Sequence, residues 1–218
     1  MVDSSRTWTR VGGVAGIVFF ICLAILIVLM PLTHTVSEPA FDAPSSAQLA
    51  YARSERELPY ALELVGVVGL FSFTVFATVL ASRFRAANDR SDVAPNLVRL
   101  AAVIFALMWL ALMAIGFAER FRHGDLDATG ASVFSGLSNG FFVTSWAAIG
   151  AFLMASGVAS LNSRAFASWL GWSALVIGIA MLLNIAAPLT ALWLLPYFLF
   201  FLWVVVASVL LIRTKSGT

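Results

Sequence analysis

Long apolar stretches dominate the chain, and short polar segments separate them. A bilayer core of about 30 Å is crossed by about 20 helical residues, each of which adds about 1.5 Å. Backbone groups find no water inside lipid, so continuous apolar stretches of this length predict α-helices. The pattern predicts six membrane-spanning helices, at about residues 11–31, 59–82, 96–118, 132–160, 166–187 and 191–212.

The last apolar stretch decides the number of spans. Residues 165–212 contain no charged side chain over 48 positions. A single helix of that length would measure about 72 Å, which is more than twice the thickness of a bilayer core. We therefore expect the chain to turn back near Pro188, which gives an even number of crossings.

The polar segments are short, with one exception. Residues 33–58 form the only predicted loop of any size, and the good helix formers that follow Ser45 predict a short surface helix within it. Short connections elsewhere favour antiparallel neighbours. The predicted fold class is all-α. We expect a polytopic integral membrane protein in which residues 1–218 form one six-helix transmembrane domain.

Composition supports the same class. Hydrophobic residues occupy 61% of the 218 positions and charged residues 11%, with a mean hydropathy of +0.96. A soluble domain is usually about 45–50% apolar and about 25% charged. This difference excludes a soluble globular enzyme and makes the lipid bilayer the expected partner. The net charge of only +2 gives no polybasic surface, so we expect no nucleic-acid partner.

Basic residues predict the orientation. With a cytoplasmic N-terminus, nine of the 13 lysines and arginines fall in cytoplasmic segments and four fall in outer segments. Cytoplasmic segments of membrane proteins carry an excess of these residues. Both termini are therefore predicted to be cytoplasmic, and the predicted location is the plasma membrane or a bacterial-type inner membrane.

A few polar side chains inside the predicted spans are candidates for a transport pathway. Glu63 lies about one turn inside the second span, where an ionisable residue marks function or pairs with an arginine. Asn139, Thr144 and Ser145 lie in the fourth span, and Asn184 lies in the fifth. These residues either line a hydrated cavity for a small solute or ion, or bond across close-packed helices.

Two glycine pairs with four-residue spacing predict close helix packing. Gly12 and Gly16 lie in the first span, and Gly136 and Gly140 lie in the fourth. Small residues at this spacing let two helix backbones approach closely. The faces that carry them are predicted to pack within the bundle, in a homo-oligomer or against a membrane protein partner.

The two histidines give a weaker candidate on the outer side. Glu119 and His123 share one face of a helix that extends past the third span. Together with His34 they would form a His/His/Glu set with ligand chemistry suited to zinc. No cofactor is expected, because neither histidine lies at mid-span to ligate haem. The single lysine, Lys215, lies in the C-terminal tail, where it could not hold a retinal.

Three functions fit these observations. The leading hypothesis is a non-enzymatic accessory or structural membrane protein that acts through helix–helix contacts. The alternative is a small-solute or ion transporter or channel, with Glu63 and the polar residues of the fourth span around a cavity. The third is a lipid-handling membrane enzyme with the histidines on its outer face. Carriers usually place several polar groups near the midplane, and the scarcity of such groups here favours the first hypothesis.

Overall fold

A computed structural model describes residues 4–54, 61–87, 93–189, 192 and 194–213. Over these residues the chain is all-helical, with two 3-10 helices, Met30–Thr33 and His123–Asp125, and no strand. The described α-helices are α1 (Ser4–Leu29), α2 (Ser45–Arg53), α3 (Ala61–Ala87), α4 (Val93–Phe121), α5 (Ala128–Ser163), α6 (Ser168–Asn184) and α7 (Leu194–Arg213).

Five of the described helices are long and apolar enough to cross a membrane. The segments that qualify are Thr7–Leu29, Leu62–Ala87, Val93–Phe121, Ala128–Ser163 and Leu194–Arg213. This helical architecture is compatible with a multi-pass membrane protein. The helix α6 is also apolar but has 17 residues. Five of the six predicted spans thus correspond to helices that are long and apolar enough to cross a membrane.

Helix ends differ from the predicted spans for local reasons. The helix α5 covers 128–163 where the sequence predicts a span of 132–160, because a helix continues into the polar zone that hydropathy excludes. The helix α6 ends three residues before the predicted residue 187. The backbone N–H of each of residues 185–187 donates to the carbonyl three residues earlier, as in a series of turns, rather than four residues earlier, as in an α-helix. The predicted starts at residues 59 and 191 lie outside the described residues.

Two prolines lie inside helices without interrupting them. Pro95 is the third residue of α4, and Pro196 is the third residue of α7. The N–H groups of a first helical turn have no partner within the helix. A proline in that turn therefore loses no hydrogen bond, and its fixed φ suits the start of a helix.

The helices other than α2 form a closed ring in chain order. Among the described helices, each of these six packs against the next, and α7 returns to pack against α1. Neighbours run antiparallel: Cβ atoms built at Gly12 and Gly69 would meet Val79 and Cys22, respectively. We call the end that carries residues 30–54 and 122–127 the loop end, and the opposite end the arginine end.

Phenylalanine rings fill the centre of the bundle. The ring of Phe73 lies 4.8 Å from Phe19, 5.2 Å from Phe105, 5.0 Å from Phe152 and 5.9 Å from Phe200, measured between centroids. These five side chains come from five different helices, and each is at most 3% exposed. We call them the phenylalanine layer. Because aromatic rings pack here from five sides, the layer fills the bundle axis at this level.

The segment between α1 and α3 packs over the loop end. Its helix α2 begins at Ser45 and lies against α5. Ala52, Leu126 and Ala131 form a small apolar cluster there, separate from the main core. The backbone N–H of Thr35 donates to the carbonyl of Ser54 at 3.1 Å, which brings the two ends of the segment together.

Candidate functional site

The outer side of α5 near the loop end carries small residues that no neighbouring helix covers. Five exposed positions follow each other at helical spacing, and we call them the outward α5 face: Val133, Gly136, Leu137, Gly140 and Thr144. Steps of three, one, three and four residues place them on one side of the helix. The Oγ1 of Thr144 donates to the carbonyl of Gly140 at 2.7 Å, so its hydroxyl is satisfied within the helix.

The predicted glycine pairs have opposite surroundings. A Cβ atom built at Gly12 would clash with Val79, and one built at Gly16 would clash with Ser208, so this pair packs inside the bundle. No described atom lies within 4 Å of a Cβ built at Gly136 or Gly140. The first pair therefore holds the bundle together, whereas the second pair faces outward.

Sequence reasoning missed the glycines that join α5 to α6. A Cβ at Gly150 would lie 3.0 Å from the carbonyl oxygen of Gly178, and the reverse distance is 2.9 Å. A Cβ at Gly157 would lie 2.8 Å from the carbonyl oxygen of Gly171, with a reverse distance of 3.2 Å. In each helix the two glycines are seven residues apart. Two antiparallel helices can therefore place the first glycine of each against the second glycine of the other. That shared spacing is the signal that could have revealed the contact.

A chain of polar side chains fastens the loop to α5. The Nδ2 of Asn139 donates to Ser135 Oγ at 3.4 Å, and Ser135 Oγ donates to Gln48 Oε1 at 2.9 Å. The Nε2 of Gln48 then donates to the carbonyl of Ala40 at 3.2 Å. Gln48 is a buried polar residue that sequence reasoning did not select. Asn139, predicted to line a cavity, thus forms part of the contact between α5 and the loop.

Glu63 pairs with an arginine. Its Oε1 lies 2.9 Å from Arg120 Nη1, which links the start of α3 to the end of α4 at the loop end. The two side chains are partly accessible, at 20% for Glu63 and 32% for Arg120. The Arg120 guanidinium carbon also lies 6.0 Å from the centroid of the Phe117 ring. The sequence allowed Glu63 either a function in transport or a pair with an arginine, and the structure shows a pair with Arg120.

The remaining transport candidates occupy separate places. Ser145 is buried and donates to the carbonyl of Phe142 at 2.6 Å. Asn184 is the last residue of α6, and its Nδ2 is buried without a partner among the described residues. Thr144 faces outward. Together with Asn139 and Glu63, these residues are distributed over three helices, α3, α5 and α6, and differ in their burial and hydrogen-bond partners.

The predicted metal ligands are only partly described. His34 stacks on Tyr51 with ring centroids 3.9 Å apart, and its Nδ1 lies 2.6 Å from Thr33 Oγ1. Glu119 lies near the end of α4. The side chain of His123 lies outside the described residues. Among the side chains that are described, no three His, Cys, Asp or Glu residues form a metal site, and the set of His34, Glu119 and His123 stays a prediction.

Charge is divided between the two ends of the bundle. Described acidic residues lie at the loop end, where they outnumber the arginines: Glu38, Asp42, Glu63, Glu119, Asp125 and Asp127. At the arginine end, the arginines with described side chains have no described acid among them: Arg10, Arg83, Arg85, Arg99, Arg164 and Arg213. Neighbouring atoms of the chain partly desolvate the carboxyl of Glu38, and this desolvation raises the pKa of Glu38. The electrostatic potential of the two ends therefore differs in sign.

No family model matches the chain, and neither a curated protein nor a solved structure is significantly similar to it.

Proposed function

We propose that the chain is a non-enzymatic, multi-pass membrane protein that acts through helix–helix contact on the outward α5 face. The supporting observation is the open space at Gly136 and Gly140 beside a bundle whose interior is filled. In lipid, close backbone approach at small residues drives helix association. A second copy is the simplest occupant, because a Gly-x-x-x-Gly face is self-complementary. A different membrane protein is the second possibility.

The proposal includes six crossings. The helix α6 has 17 residues, which span about 25 Å and reach the lower limit for crossing a bilayer. Reciprocal glycine contacts at Gly150 with Gly178, and at Gly157 with Gly171, hold α6 alongside α5. A helix packed antiparallel along a spanning helix is well placed to cross with it.

The proposal also places the arginine end in the cytoplasm of a plasma or bacterial-type inner membrane. The supporting observation is the excess of arginine at that end and of acidic residues at the loop end. Lysine and arginine are retained on the cytoplasmic side during insertion. Both termini then lie in the cytoplasm, since an even number of helices separates them.

Three observations weigh against the transport alternative. The phenylalanine layer fills the bundle axis. Glu63 is bonded to Arg120. The polar candidates Asn139 and Ser145 each bond to a partner within the protein rather than to one another. A carrier usually gathers such groups around one site near the midplane.

The test compares self-association of the parent with that of Gly136→Ile/Gly140→Ile. Donor- and acceptor-labelled full chains in liposomes are diluted with lipid, and energy transfer is measured. The double variant is expected to lower the apparent association constant of the dimer about tenfold or more, since branched side chains prevent close approach of the two backbones. Gly116→Ile is the matched control, because a Cβ at Gly116 also meets no described atom within 4 Å.

Two results would contradict the proposal. Equal energy transfer in the parent and the double variant would show that the outward α5 face does not mediate self-association. If the parent is monomeric, a partner crosslinked in native membranes must be lost in the double variant and retained in Gly116→Ile. Retention of that partner in the double variant would remove the partner version as well.

A further inference from the structure

An open cavity lies at the arginine end, between the end of α5 and the start of α6. Its volume is about 300 Å³, and its lining consists of Ser160, Leu161, Arg164, Phe166 and Ser168. That volume is at the lower end of the range for small-ligand sites. The lining combines a cation, two hydroxyls and two apolar side chains.

An unusual backbone conformation shapes the cavity. Arg164 follows the last residue of α5 with φ 52° and ψ 25°, and it is the only described non-glycine residue with positive φ. Its N–H donates to the carbonyl of Ser160 at 3.0 Å. This left-handed cap turns the chain sharply, so that α6 begins only a few residues later, at Ser168. The turn brings the end of α5 and the start of α6 to one site.

The polar groups around the cavity are donors without described partners. No described carboxylate pairs with Arg164, whose side chain is exposed and always cationic. Ser160 is 1% exposed, and its Oγ has no hydrogen-bond partner among the described residues. No side chain caps the N-terminus of α6, where Ala167 occupies the capping position. The N–H of Leu170 donates to the Ala167 carbonyl at 3.0 Å, so the N–H groups of Ser168 and Trp169 are the ones left for a ligand, at the positive end of the helix dipole.

This donor set matches a phosphate group. Helix N-termini bind anions through their N–H groups, and arginine presents several N–H donors that fit phosphate oxygens. The described arginine end carries no acidic side chain that would compete for the same donors. Buried polar groups without a partner are costly, and an anion in this cavity would supply an acceptor for the Ser160 hydroxyl.

The apolar part of the lining indicates a lipid rather than a free anion. Leu161 and Phe166 line the cavity beside the polar groups. Trp169 and Trp172 lie just beyond it on α6 and are 55% and 60% exposed, as expected at the level of lipid headgroups. A ligand with a phosphate next to an apolar body would contact both parts of the lining.

We propose that this cavity binds the phosphate headgroup of an anionic membrane phospholipid. Arg164 and the N–H groups of Ser168 and Trp169 hold the phosphate oxygens, and Ser160 donates its hydroxyl. Leu161 and Phe166 contact the glycerol and the upper acyl chain. The site requires the chain to lie in a membrane, and it is independent of the contact proposed for the outward α5 face at the opposite end.

The experiment measures lipid binding to the full chain in detergent micelles by native mass spectrometry. Phosphatidylglycerol is the test lipid, and phosphatidylcholine is the zwitterionic comparison. Arg164→Asn is expected to lower the phosphatidylglycerol affinity about tenfold, since it removes a charge-assisted hydrogen bond. Asparagine tolerates the left-handed conformation, so the turn is kept. Arg164→Gly provides a second variant if the first fails to fold, and Arg164→Lys is expected to retain most of the affinity.

Two further variants sharpen the result. Arg213→Gln removes an exposed arginine from the same end, and it is expected to leave the affinity within about twofold, because Arg213 does not line the cavity. Ser160→Ala is expected to lower the affinity about fivefold through the loss of one hydrogen bond. Unchanged affinity in Ser160→Ala would overturn the role assigned to its hydroxyl.

Three results would overturn the lipid site. The first is unchanged phosphatidylglycerol affinity in a folded Arg164→Asn or Arg164→Gly variant. The second is an equal loss in Arg213→Gln, which would indicate attraction to the net charge rather than a site. The third is displacement of the lipid by sodium phosphate at an equal concentration, which would indicate a site for free phosphate.

Discussion

At the scale of single residues, the polar side chains that the sequence suggested for one site are bonded to separate partners. Glu63 is bonded to Arg120, and Asn139 is bonded to Ser135. Ser145 is bonded to its own helix. These three groups thus stabilise local contacts, whereas buried donors that lack a described partner include Asn184 and Ser160.

The pair of Glu63 and Arg120 gives the first residue-scale prediction. Glu63→Gln, Arg120→Gln and the double variant form a thermodynamic cycle, measured by chemical unfolding in micelles. Because both side chains are partly accessible, solvent screens the pair, and the coupling free energy is expected to be about 0.5–1 kcal/mol. Coupling above about 3 kcal/mol would contradict this and indicate a buried pair.

The sequence identified Glu63 but could not assign its partner. Arg120 is 57 positions away along the chain, and its proximity depends on how α3 and α4 align. Hydropathy predicts where the helices lie along the chain but not this alignment. Gln48 was missed for a related reason, since a glutamine in a polar loop carries no sequence signal of burial.

At the scale of the helix, α5 presents two kinds of small-residue surface. Gly150 and Gly157 contact α6 backbone to backbone, whereas Gly136 and Gly140 meet open space. Ala155 and Ala159 are buried, and Ala151 is exposed. What the sequence shows as one continuous series of small residues is thus divided between the core and the outer surface.

One substitution made at two positions of α5 distinguishes these surfaces. Gly157→Ala is expected to destabilise the bundle by about 1–3 kcal/mol, because the new Cβ would meet the Gly171 carbonyl oxygen at 2.8 Å. Gly140→Ala is the matched control, with a stabilisation of about 0.5–1 kcal/mol from helix propensity alone. Unfolding in micelles dilute enough to keep the chain monomeric measures both. Equal effects at the two positions would contradict the assignment.

Helix positions were largely predictable, while helix faces were not. Apolar length identifies a span because a bilayer has a fixed thickness, and for this reason α4 and α5 contain the predicted 96–118 and 132–160. The sequence pattern of a glycine pair is the same whether the pair faces a neighbouring helix or the outside of the bundle. The sequence could therefore predict close packing for Gly12 and for Gly136, but it could not separate their surroundings.

At the scale of the whole molecule, the ring order of the helices connects the number of crossings to sidedness. Each helix of the ring runs antiparallel to the one before it. If α6 crosses, the segment between α6 and α7 lies at the loop end. If α6 does not cross, that segment lies on the side of Ser168.

Cysteine labelling distinguishes these two arrangements. The only native cysteine, Cys22, is buried, so Cys22→Ala provides a background without accessible thiols. Single cysteines at the exposed positions Thr35, Ser168 and Leu189 are treated with a membrane-impermeant maleimide in intact cells and in inverted vesicles. Thr35→Cys and Leu189→Cys are expected to react from outside, and Ser168→Cys only in inverted vesicles. Reaction of Leu189→Cys on the side of Ser168→Cys would exclude the sixth crossing.

The contact between α1 and α7 has a consequence for biosynthesis. Gly16 of α1 packs against Ser208 of α7, so the surface of α1 around Gly16 stays uncovered until α7 has been synthesised. A chain that ends before residue 208 would therefore lack the side chain that covers Gly16 and leave one side of α1 without its neighbour.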